Sequence, residues 1–169
     1  MVGSVGGLAL LASAYALDVD RKREGEWVIV TAEMPYATDS IRGLLKQDAK
    51  TMKLGTGVRS VSTEPLSNGC TKIVVVNDGL GRDYTYTAER CAIDNGWHSR
   101  MIHSPDFRDH QVIWTTQPTE HGSRITIRVK VQLKLPVPRF VMTRIVGGAL
   151  EGTLEKIDGL LLEQGLVKV

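Results

Sequence analysis

Tyr84, Tyr86, Ala88 and Arg90 recur at every second position in a segment that reads as a β-strand, so their side chains leave the same face. Two phenol hydroxyls and a guanidinium among apolar groups can hold a mostly apolar molecule by one polar end. Neighbouring segments add Trp97 and Met101, then Val112 and Trp114, then Ile127 and Val129 to that face. A C-terminal helix supplies Ile145, Gly148 and Ala149 for the opposite wall. These residues are the candidate ligand-binding set. The alternative is that the aromatic rings fill an ordinary core and Arg90 pairs with a carboxylate at the end of the sheet.

No catalytic set is assigned. The sequence has no nucleophile elbow, phosphate-binding loop or zinc motif, and Gly79-Leu80-Gly81 lacks the rest of a dinucleotide fingerprint. No metal or cofactor is expected. His98, His103, His110 and His121 form no ligand constellation and read as surface histidines; His98 and His103, five residues apart, leave opposite faces of a strand. Cys70 and Cys91 fit no metal or redox spacing and read as free thiols of a reducing compartment. A net charge of +2 and 5% aromatic residues give no support to nucleic-acid binding.

The elements that must position this set follow from periodicity. From Pro138 to Gly165 the apolar residues Met142, Ile145, Val146, Ala149, Leu154, Ile157, Leu160 and Leu161 recur at helical steps and make one long stripe. Gly147, Gly148 and Gly152 lie inside that helix at up to about 1 kcal/mol each. They leave room either for a ligand beneath the helix or for close packing on a sheet. Upstream, Glu26 to Tyr36 reads as a strand, and a short helix follows that Thr38 or Asp39 can cap, with a break near Asp48. Six strands follow in a meander: Val58 to Glu64, Thr71 to Asn77, Arg82 to Ile93, Trp97 to His103, His110 to Gln117 and Ser123 to Leu135. Asn95-Gly96 is read as a tight hairpin turn because both residues tolerate positive φ. The last strand alternates most cleanly, and its outward Arg124, Arg128, Lys130 and Lys134 form a basic stripe that faces either solvent or an anionic partner.

The junction VTAEMPYATDSIRGLL, the strands DYTYTAERCAIDNGWHSRMIH and the unit ITIRVKVQLKLPVPRFVMTRIVGGALEGTLEKIDGLL carry a resemblance over roughly Glu26 to the C-terminus. In the order of its elements the chain resembles the helix-grip fold of the START and polyketide cyclase-like (SRPBCC) superfamily, which includes plant Bet v 1-type allergens. The resemblance implies an α+β domain: a seven-stranded curved antiparallel sheet, two short helices and a long C-terminal helix over an apolar cavity that takes a lipid, sterol, quinone or polyketide.

Residues 1–17 carry no charged side chain and are followed by Asp18, Asp20, Arg21, Lys22 and Arg23. At 1.5 Å per residue they cover about 25 Å of a ~30 Å hydrocarbon core. Gly3 and Gly7 give a GxxxG spacing suited to packing on another membrane helix. The expectation is an N-terminal apolar helix, residues 1–20, that anchors the domain of residues 21–169, with Arg21 to Arg23 on the cytoplasmic side. Export through a secretory signal, with an Ala-x-Ala site at Ala14 to Ala16, is the alternative. Three functions stay open: a membrane-tethered, non-catalytic module for a lipid or quinone; an accessory subunit of a membrane complex; and a polyketide cyclase or aromatase.

Overall fold

The computed structural model describes residues 17–79 and 81–165. In chain order the elements are β1 (Val19–Glu24), β2 (Trp27–Met34), α1 (Thr38–Leu45), α2 (Asp48–Met52), β3 (Val58–Pro65), β4 (Thr71–Gly79), β5 (Arg82–Ile93), β6 (Gly96–His103), β7 (Phe107–Thr119), β8 (Gly122–Leu133) and α3 (Arg139–Glu163). All eight strands form one antiparallel sheet in the order β1-β2-β8-β7-β6-β5-β4-β3. The fold is therefore α+β as expected, with one strand more than the seven anticipated. The additional strand is the charged block: Val19 to Glu24 pairs with Ala32 to Trp27 across a turn at Gly25, whose φ is +59°. Edge strands carry charge because one side faces water, so DRKRE reads as a juxtamembrane cluster when its pairing partner is not visible.

That pairing reassigns Arg21, Lys22 and Arg23. Arg21 reaches over α3 and ion-pairs with Glu151, Arg23 donates to Gly25 O at 2.8 Å and Thr143 Oγ1 at 3.2 Å, and Lys22 pairs with Glu24 at 2.8 Å. The block clasps the long helix. Gly3 and Gly7 lie outside the described residues, as do residues 1–16 of the expected apolar helix; its last two residues, Val19 and Asp20, belong to β1 instead, and no described helix is long and apolar enough to cross a membrane.

Local chemistry also differs at two junctions. Thr38 and Asp39 lie inside α1 rather than before it; its N-cap is Ala37, and the Thr38 hydroxyl bonds Ser123 Oγ at 2.8 Å instead. Gly96 does not need a positive φ. It is glycine because a Cβ there would stand 1.8 Å from the Trp114 carbonyl oxygen on β7.

Two apolar clusters build the interior. One joins β2, α1 and β8 to the C-terminal half of α3, where Leu154, Ile157 and Leu161 are fully buried. The other joins β4 and β5 to Phe107 and includes Ile73, Val75, Tyr84 and Tyr86. α3 thus buries its apolar stripe fully only along its second half. Its first half carries Met142, Val146 and Ala149 half-buried and Ile145 42% exposed, and is met by the Arg21 and Arg23 side chains of β1.

Candidate functional site

The space under the first half of α3 is a cavity of about 240 Å³ between the two clusters. Its sheet wall is built by alternation. Tyr84, Tyr86 and Arg90 line it from β5, Trp114 from β7 and Val129 from β8, while α3 contributes Ile145 and Ala149. Other candidates fall elsewhere. Ile127 is fully buried in the first cluster, and Trp97 and Met101 pack half-buried against the two clusters. Gly148 is exposed, with open space where its Cβ would stand. Gly147 makes room for the Arg21 side chain and Gly152 for Thr56 Oγ1, so these two glycines serve packing.

Arg90 is 5% exposed. Its guanidinium donates to Leu45 O at 2.9 Å and lies 5.1 Å over the Trp97 ring. Burial lowers its pKa to about 10, which leaves it charged at neutral pH. Ser99, opposite Arg90 in the β5–β6 pairing, is buried on the same wall. Toward the other end, Tyr86 is hydrogen-bonded to the Asn77 side chain, and burial pushes its hydroxyl pKa well above the ordinary 10.

His110 was expected at the surface and is instead part of the cavity wall. Its ring lies 4.3 Å from that of Tyr86 and 5.5 Å from that of Phe107, and its Nδ1 is buried without a hydrogen-bond partner. Burial lowers its pKa to about 4, against a weak opposing pull from Asp109. The signal was present in the sequence: His110 shares the parity of Val112 and Trp114. Phe107 was not readable in that way, because a bulge between Phe107 and Asp109 shifts the register.

Two surface expectations change. The basic stripe of β8 is paired: Arg124 with Glu33, Arg128 with Glu24 at 3.9 Å, Lys130 with both Glu26 and Asp109 at 2.9 Å, and Lys134 with Ser104 O at 2.9 Å. A stripe so compensated is a poor anchor for anionic headgroups. Cys70 and Cys91 are joined in a disulfide across the β4–β5 hairpin, with Cα atoms 4.5 Å apart. The expectation of free thiols fails because directly opposed strand positions are not visible as a spacing motif. Both sulfurs are thereby unavailable to a metal beside Glu89.

No protein-family model and no curated protein sequence matches the chain. Solved structures do. A START superfamily protein from Mycobacterium smegmatis superposes with a TM-score of 0.73 at 14% identity, over 83% of this chain and 99% of that one. This is a START-like helix-grip fold. The di-domain ARO/CYC protein StfQ from the steffimycin biosynthetic pathway matches with a TM-score of 0.69 at 15% identity, over 83% of this chain and 51% of that one. Ara h 8.0201 matches with a TM-score of 0.59 at 16% identity, over 88% of this chain and 99% of that one. At these identities the helix-grip likeness establishes the architecture, and function must be argued from the cavity.

Proposed function

We propose that the chain is a non-catalytic helix-grip module that holds one hydrophobic small molecule with a polar end, of the lipid or quinone class, under the first half of α3. The observation that carries this is the mainly apolar cavity of about 240 Å³, into which Thr51, Thr56, Asn77, Tyr84, Tyr86, Arg90, Ser99, His110 and Thr153 bring polar groups. The volume lies just below the roughly 300–1,000 Å³ of drug-sized sites, which suits a small ligand. A cyclase needs a base whose pKa is near its working pH. His110, at about 4, is a weak base, and among the described residues no carboxylate lines the cavity.

Titration with anilinonaphthalene sulfonate tests this reading. Saturable one-site binding is expected in the wild type and a loss of at least tenfold in Ala149→Trp, whose indole would occupy the cavity. Non-saturable binding, or equal binding by both folded proteins, would exclude it. The disulfide supports action in an oxidising compartment, hence export of the domain rather than a cytoplasmic orientation. Maleimide labelling of cells lysed directly into denaturant checks this: no labelling before reduction is expected, and full labelling would count against export.

A further inference from the structure

The loop from β8 into α3 and the first turn of that helix form a tip whose apolar groups stand in water. Phe140 is 75% exposed, more than any other large apolar side chain among the described residues, and Leu135 is 52% exposed. Between them Pro136 and Pro138 are exposed and Val137 is half-buried. Phe140 begins α3 on the side turned away from the sheet, so only something outside the described chain can bury its ring. Exposed apolar groups gathered at one place and rimmed by charge mark a contact surface.

The second observation is the charge around this tip. Arg23, Arg108 and Arg139 line a shallow groove together with Leu135 and Val137. Arg144, four residues on from Phe140, shares its exposed helix face. Among the described residues no carboxylate pairs with any of these four arginines. Glu26, the acidic residue of the groove, is engaged instead by Lys130 at 2.9 Å and by Gln132. Arg139 opens α3, where the helix dipole favours acidic side chains, so its charge does not serve the helix. The β8 stripe, compensated by Glu24, Glu26 and Glu33, has no such surplus.

We propose that this tip docks on an anionic lipid surface, with Phe140 and Leu135 entering the boundary between headgroups and acyl chains and Arg108, Arg139 and Arg144 meeting lipid phosphates. A bilayer is apolar within and negative at its rim, which complements apolar groups ringed by unpaired arginines. It receives a protruding ring without a shaped pocket, whereas an acidic protein would have to supply one. Guanidinium groups also match phosphate oxygens in geometry as well as charge. The docking surface stands whether or not the cavity holds a ligand.

Cosedimentation of the full chain with vesicles tests the proposal, using phosphatidylcholine alone and phosphatidylcholine mixed with phosphatidylglycerol. The wild type is expected to bind the anionic vesicles at least tenfold more tightly than the neutral ones. Arg139→Glu combined with Arg144→Glu should weaken anionic binding at least tenfold, and Phe140→Ser at least threefold. Arg124→Glu combined with Arg128→Glu changes the net charge by the same amount on the compensated stripe and should alter binding by less than twofold. All the substituted side chains except Arg128 are exposed without a packing role, and thermal melts verify that each variant is folded. Equal losses from the two charge reversals would overturn the proposal, because net charge alone would then account for binding. Equal wild-type binding to both vesicles, or binding that neither Phe140→Ser nor the Arg139 and Arg144 changes reduce, would overturn it in favour of attachment through residues 1–17. Absence of binding to either vesicle would overturn it and leave an acidic protein as the partner of the tip.

Discussion

His110 reaches the cavity because a strand sends alternate side chains to one face, and its ring is then held among Tyr86 and Phe107 where a positive charge is poorly solvated. Asp109 on the same strand opposes this weakly, Tyr86 and Arg90 are the titratable groups on β5 that share the cavity, and the facing residues of α3 are uncharged. The unfolded chain takes up this proton near pH 6.5, the folded one only near pH 4. The stability from neutral His110 is therefore complete above about pH 6.5 and is lost as pH falls toward 4, by up to about 1.4 kcal/mol per pH unit. Urea denaturation at several pH values should show this slope in the wild type and a flatter one in His110→Phe; parallel curves would refute it. The glycines give a contrast on the same scale. Gly148→Leu enters open space, replaces a poor helix former and should change stability by less than about 1 kcal/mol. Gly96→Ala collides with the backbone of β7 and should cost more than about 2 kcal/mol, both read from thermal or urea melts.

At the scale of elements, β8 and α3 were legible because each carries its own period. In β8, Ile125, Ile127 and Val129 face inward and Arg124 and Arg128 outward, as the alternation requires. Val129→Asp should cost several kcal/mol, since a buried carboxylate must be desolvated or protonated. Arg128→Asp should cost about 1 kcal/mol or less, because Arg128 meets Glu24 at the surface and lies over Trp27. Equal effects in urea denaturation would show a misassigned register. β1 was not legible, because a charged edge strand has no apolar period of its own. The β4–β5 hairpin carries the disulfide, and removing both sulfurs by Cys70→Ser with Cys91→Ser should lower stability by about 2–4 kcal/mol, the range for a loop of this size. An unchanged denaturation midpoint would show that the strand pairing alone holds this edge.

In the whole molecule, the cavity lies under the part of α3 whose apolar stripe is not fully buried on the sheet. Leu154, Ile157 and Leu161 seal one end, while Met142, Val146 and Ala149 roof the cavity at the other. The apolar stripe of α3 reads the same along its length in sequence, so nothing local distinguishes the half that packs from the half that roofs a cavity. The sequence by itself determined the order of elements, the inward faces of β5 and β8 and the helix-grip architecture, because those depend on periods of two and 3.6 and on turn residues near in the chain. Only the tertiary structure decided the eighth strand, the Cys70–Cys91 bond, the pairing of the basic stripe with Glu24, Glu26 and Glu33, and the use of Gly147 to seat Arg21. Each of these joins residues whose proximity is set by strand register or by helix placement, and neither leaves a local trace in the chain.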